Sequence, residues 1–168
     1  MIEPSAEAKL VEAFANTVDL EDETDALATA ADATTWLRTS GLIGDRVRLG
    51  DDDHGKLLGL RTGLRAALAG VPEAGVLDEL PVLVSFSGRV LTPSPALSPV
   101  HRALAELAIA WSALVVTGEA QRLKRCADDT CGWVFWDVSR NHSRRWCTMR
   151  VCGNRAKARA YSARQKGH

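Results

Sequence analysis

The chain has 168 residues, 46% of them hydrophobic and 25% charged, a composition that fits one main globular domain with a real core plus a small appendage. No run approaches the roughly 18 consecutive apolar residues of a membrane helix, and the opening Met-Ile-Glu-Pro-Ser-Ala-Glu lacks the basic start and apolar centre of a signal peptide. The expected location is therefore the cytoplasm, with no membrane partner. The formal net charge is zero, but residues 1 to 121 carry 9 Lys or Arg against 18 Asp or Glu, and residues 122 to 168 carry 12 against 3. A block this basic beside an acidic body points to an anionic partner, of which nucleic acid is the commonest. The plainer alternative is that the two parts attract each other.

Leu10, Phe14 and Val18 recur every four residues and predict a first helix over 5–18, which the polar run 19–24 interrupts. Leu27, Ala31 and Thr34 open a second helix over 24–39, closed by Gly41. Asp51, Asp52 and Asp53 precede Leu57, Leu60, Leu64 and Leu68, so they offer N-cap oxygens and negative charge to a third helix ended by Gly70 and Pro72. A metal site at Asp51, Asp52, Asp53 and His54 is the weaker reading of that cluster. The stretches 82–86 and 89–92, joined by Ser87-Gly88, read as a small hairpin, and Pro93, Pro95 and Pro99 make 93–99 a loop. Ser98 caps and Pro99 opens a fourth helix whose inward face carries Leu104, Leu107, Ala108, Trp111, Leu114 and Val115, ended by Gly118. Trp36 and Trp111 are expected in the core.

All four cysteines lie in the basic block, as Cys126-x4-Cys131 and Cys147-x4-Cys152, with 15 residues between the pairs. In a reducing compartment this clustering favours metal over disulfides. Four thiolates make the closed tetrahedral site of one structural Zn²⁺, and Arg122, Lys124, Arg125, Arg144, Arg145 and Arg150 can offset its excess negative charge. His142 could replace a cysteine, although the set is complete without it. Some 47 residues with few large apolar groups make a thin core, so metal is expected to supply the folding free energy of this part. Its removal is expected to leave the helical body folded. Trp133–Asp137 reads as a strand and residues 152–166 as a C-terminal helix, an order similar to a treble-clef zinc finger.

Cys152-Gly153-Asn154-Arg155, together with the approach from Asp137 through Trp146 to Cys147, resembles the CGNR zinc finger over nearly all of residues 121–168. Phe14-Ala-Asn-Thr-Val-Asp19 and Trp36-Leu37 followed by Gly41-Leu42 are similar to the ABATE domain that commonly precedes that finger. The fold class expected is α+β: a mostly helical domain over 1–120 with a small β-hairpin, then a treble-clef-like zinc finger over 121–168 with a C-terminal helix. The resemblance implies a DNA-binding regulator of transcription induced by stress.

Candidates for phosphate or base contact are Arg140, Arg144, Arg145, Arg155, Lys157, Arg159 and Arg164, with Asn141, His142 and Asn154 able to add hydrogen bonds. Arg155 could instead brace the metal loop, and Arg140, Arg144 and Arg145 could pair with Asp137 or the thiolates. The expected partner is double-stranded DNA. A single small finger reads few base pairs, so a homodimer would double the contacts, and the N-terminal domain would sense a small-molecule effector or pair with the second copy. The alternative is a zinc-stabilised protein-interaction or RNA-binding module, decided by whether Trp133, Trp136 and Trp146 are exposed. An enzyme is not expected: four thiolates leave zinc no open position, His54 and His101 are isolated, and no glycine-rich phosphate loop follows a strand.

Overall fold

A computed structural model describes residues 3–71, 80–86 and 91–166. Ser5 starts α1 (Ala6–Ala15), its hydroxyl accepting from the Ala8 N–H at 3.2 Å. The helix ends three residues before the expected Val18. Asn16 is its C-cap, and the Thr17 hydroxyl donates back to the Phe14 carbonyl at 2.8 Å. The chain then forms a small antiparallel pair, β1 (Val18–Asp19) and β2 (Thr24–Asp25), which periodicity does not reveal. Asp19 holds the turn by accepting from the N–H groups of Glu21 and Asp22 at 2.8 and 3.2 Å.

Helix α2 (Ala30–Thr39) begins six residues later than expected, because Asp25 belongs to β2 and a capping box of Thr29 and Asp32 defines the start. It closes at Gly41, φ +72°. Helix α3 (Asp51–Leu68) has Gly50 as N-cap, with no side chain bonded there. The expectation of capping oxygens from Asp51, Asp52 and Asp53 is thus corrected: all three lie inside the first turn, where their charge favours the helix dipole without capping it. Asp53 and His101 are 3.0 Å apart, and the His54 ring meets the Leu27 carbonyl at 2.7 Å. Arg61 on α3 is buried and grips Asp25 through two bonds of 2.6 and 2.7 Å. That guanidinium holds the Asp25 carboxyl below the usual carboxylate range.

The hairpin pairs β3 (Val82–Val84) with β4 (Leu91–Pro93), Val82 opposite Pro93. Its turn and the stretch 72–79 lie outside the described residues. Helix α4 (Pro99–Thr117) is capped by Ser98, which accepts from the His101 N–H at 3.1 Å, and stops at Gly118, φ +79°. Val100, Ala103, Leu104, Leu107, Ala110 and Leu114 are buried, Ala108 and Trp111 half-buried. Val115 is 54% exposed, against expectation: it continues the flanking 104, 108, 111 row, which leaves the packed face as the helix proceeds. Helix α4 is long and apolar enough to cross a membrane by composition, but its buried stripe packs on α1 and α3 as the central helix of the core.

The third sheet pairs β5 (Leu123–Arg125) with β6 (Val134–Trp136). Leu123, Val134 and Trp136 join Phe14, Leu57, Leu60 and Leu104 in one apolar core. A turn of π-helix, Met149–Gly153, leads into α5 (Asn154–Lys166), the last element of the described residues.

Candidate metal centre and nucleic-acid interface

The first cysteine pair occupies the turn of the β5–β6 hairpin and the second brackets the turn that leads into α5. All four Sγ atoms lie within 4.8 Å of one another, with Cys131 to Cys147 and Cys147 to Cys152 both at 3.6 Å. Tetrahedral Zn–S bonds of about 2.3 Å place sulfurs about 3.8 Å apart, so the donor set fits one structural zinc. The protonation chemistry fits as well. Burial pushes the Cys131 thiol well up, and burial with the Cys147 and Cys126 sulfurs beside it raises Cys152 to about 11. Against its own burial, Cys126 is brought below the usual thiol value by the N–H groups of Asp128 and Cys147 and by the neighbouring sulfurs. Four crowded sulfurs cannot all ionise without a cation between them, and Zn²⁺ is what Cys126, Cys131, Cys147 and Cys152 would hold. His142 stands apart from this cluster, at φ +49°, with its carbonyl accepting from Lys124.

Two carboxylates organise the backbone around the sulfurs. Asp128 is fully buried; it accepts from the Thr130 N–H and hydroxyl at 3.2 and 2.9 Å and pairs with Arg159 at 3.1 Å. Asp137, also fully buried, binds the Lys124 ammonium at 2.8 Å and the N–H groups of Ser139 and Arg144 at 2.9 and 3.0 Å. Burial alone would raise its pKa, but these donors outweigh burial and hold the carboxyl far below its usual range. Neither residue was singled out as an organiser by sequence reasoning. The available signal was that the basic block contains only Asp128, Asp129 and Asp137 as acids, and a carboxylate among so many cations is a natural hub.

The body grips the finger directly. The Asn16 side chain donates to the Val134 carbonyl at 2.7 Å and accepts from its N–H at 2.8 Å, as a neighbouring strand would. Arg65 on α3 bridges the Ala15 and Gly132 carbonyls at 2.6 and 3.0 Å. Gly132 follows the second ligand at φ +59°, and an added Cβ there would lie 2.9 Å from Leu20 Cδ1 and 3.2 Å from Arg125 Nε. Gly132→Ala is expected to cost about 1–3 kcal/mol. Gly153→Ala should cost less, because its close contact is the thioether of half-exposed Met149, which can swing aside. Paired thermal melts check this, and equal shifts would contradict it.

The seven basic candidates divide in space. Arg144 stacks over Phe135 at 4.8 Å and donates to the Cys147 carbonyl. Arg155 pairs with Glu21 of the β1–β2 turn and lies 3.9 Å from Asp128, which Arg159 also meets. Arg140, Arg145, Lys157 and Arg164 are exposed, Arg145 lying against the Trp146 ring at 5.3 Å. Trp136 is buried in the shared core, while Trp133 and Trp146 are half-buried against the cysteines.

Fold and site together define a zinc-finger protein whose four-cysteine centre closes a hairpin docked on a helical body. The family model of the CGNR zinc finger matches residues 122–165, and that of ABATE, described as "Putative stress-induced transcription regulator", matches residues 8–129. The chain belongs to the ABATE family and carries a CGNR zinc finger at its C-terminal end. The two matches overlap over 122–129, which contain β5 and the first ligand. No curated protein sequence matches the chain.

Proposed function

We propose that this protein is a cytoplasmic, non-catalytic regulator of transcription that binds double-stranded DNA through its zinc finger, with the helical body sensing an effector or pairing with a second copy. The observation that carries this reading is electrostatic. From residue 138 onward there is no Asp or Glu, while nine Lys or Arg are present, and Arg140, Arg145, Lys157 and Arg164 stand exposed beside or beyond the metal centre. Duplex DNA presents the matching anion, and the family description agrees with that choice. A closed set of four thiolates suits zinc to holding the scaffold rather than to activating water.

Four exposed cations meeting phosphates should give a slope of log affinity against log salt of about −3.6, at about 0.9 per phosphate. Binding of the zinc-loaded protein to random-sequence duplex across a salt series tests this. A flat response, or no binding, would remove the DNA reading. A protein-interaction or RNA-binding module remains the second reading. Exposed Met149 and Val151 beside the cysteines favour a protein over RNA in that case, since Trp136 is buried and Trp133 and Trp146 are half-buried against the cysteines, which limits base stacking on them. Single-stranded RNA in the same titration separates the two.

A further inference from the structure

Helix α5 has two different faces. At 100° per residue, Arg155 and Arg159 share one side, where they meet Asp128 at 3.9 and 3.1 Å and Arg155 also pairs with Glu21. Asn154, Lys157, Tyr161 and Arg164 follow at spacings of three, four and three, which place them in one stripe on the far side. Every residue from Lys157 to Gln165 is exposed, Tyr161 at 66%. Ala160 and Ala163 are solvent-exposed too, and Ala156 is half-buried. Beyond its first turns the helix therefore has no wall of protein to rest on. A helix that is polar all round is marginal alone in water and is stabilised by what it contacts.

Its shape and charge select the contact. Ala156, Ala158, Ala160 and Ala163 fill much of its surface with methyl groups, so the rod is thin. Its 13 residues span about 20 Å. The major groove of B-DNA, roughly 12 Å wide, admits such a helix, whereas the minor groove, roughly 6 Å wide, does not. The outward stripe carries Lys157 and Arg164 with no Asp or Glu in the sequence after Asp137, which fits a surface bounded by phosphates on both sides.

We propose that α5 is the helix that enters the major groove of duplex DNA, with Lys157, Tyr161 and Arg164 turned to the DNA and Arg155 and Arg159 turned back to the protein as positioning residues. The proposal rests on the DNA-binding reading above and divides by role the four of its seven candidate cations that lie on α5. Lys157 and Arg164 neutralise phosphates flanking the groove. The Tyr161 hydroxyl already accepts from Gln165 at 3.1 Å and keeps its own proton to donate. Asp128 fixes the helix to the knuckle that holds the first two cysteines, so the angle of entry follows from the metal centre.

The test uses full-length, zinc-loaded protein and a fluorescent random-sequence duplex, read by anisotropy across a salt series. Lys157→Gln/Arg164→Gln is expected to weaken binding on the order of tenfold or more at low salt and to make the slope shallower by about 1.8, at about 0.9 per phosphate. Its melting temperature and zinc content should stay at the wild-type values. Arg155→Gln is expected to lower the melting temperature while leaving the slope unchanged. A duplex whose major groove is filled by glucosylated 5-hydroxymethylcytosine should bind more weakly than its unmodified counterpart. Wild-type protein that binds duplex, together with a double variant of unchanged slope or equal binding to the glucosylated duplex, would overturn the assignment of α5 and leave the DNA reading standing. Wild-type protein that binds no duplex would overturn both.

Discussion

Chelation of zinc is expected to lower the stability of the entire protein in one cooperative transition, not to melt the finger alone. The separate-unit expectation came from counting apolar residues in the last 47. The structure changes it, because Leu123, Val134 and Trp136, on the strands that the cysteines tie together, lie 2%, 0% and 7% exposed in the same core as Phe14, Leu57 and Leu104. Burial of each such side chain is worth about 1.5–3 kcal/mol, so the three together rival the 5–15 kcal/mol that typically separates folded from unfolded states. Asn16 adds two bonds to Val134 and Arg65 one to Gly132. Loss of the metal opens the hairpin at its cysteine turn and loosens these contacts together. Calorimetry with and without chelator, followed by helical circular dichroism, measures the effect. The expected result is a large drop in the temperature of the helical transition; a helical transition that stays in place while a separate one disappears would refute it. Cys152→Ser should reproduce the chelator's effect without added reagent.

The second large effect is expected at Asp137. Asp137→Ala removes the carboxylate from a fully buried site and leaves the Lys124 ammonium, 25% exposed, facing the carbonyls of His142 and Arg144 without its counter-charge. Breaking a buried pair in this way costs about 3–5 kcal/mol. Asp129→Ala, at an exposed carboxylate in the same basic block, should change stability by no more than about 0.5 kcal/mol. Denaturant melts of the two variants make the comparison, and similar midpoints would sink it. The same residue predicts acid behaviour. Its folded pKa is depressed from the ordinary 3.8, so its contribution is complete above that value and is lost as pH falls below it toward the folded pKa. Asp25 and Asp128 are depressed in the same direction. Stability should therefore fall steeply below about pH 4, and Asp137→Asn should make that fall shallower.

The difference between these two sites shows what could be read in advance. Cysteine spacing in a cysteine-poor chain is a local property: two pairs, each with four intervening residues, can present four sulfurs to one point whatever the rest of the fold does. Helix ends are local too, so Ser98, Pro99, Gly118 and Gly41 mark boundaries that the structure keeps. The start of α2 was less legible, because Leu27, Ala31 and Thr34 fit a helical period yet Asp25, just before them, is drawn to Arg61, a partner 36 positions away. Val115 was misplaced for a similar reason: periodicity defines a stripe, but only the neighbouring helices decide how far along it burial extends.

The sequence by itself determined the metal ligands, the helical character of the body and the separation of acidic from basic residues, because composition, short-range spacing and capping act within a few residues. Tertiary structure decided what the charges are for. It buried Asp128 and Asp137 beside the cations near them, paired Arg155 and Arg159 with carboxylates of the protein and left Lys157 and Arg164 to solvent. It also set β5 and β6 into the core of the body. Those outcomes depend on contacts between residues up to 134 positions apart, such as Glu21 with Arg155. Electrostatic and apolar free energies depend on distance and solvent in the folded chain, not on separation along it.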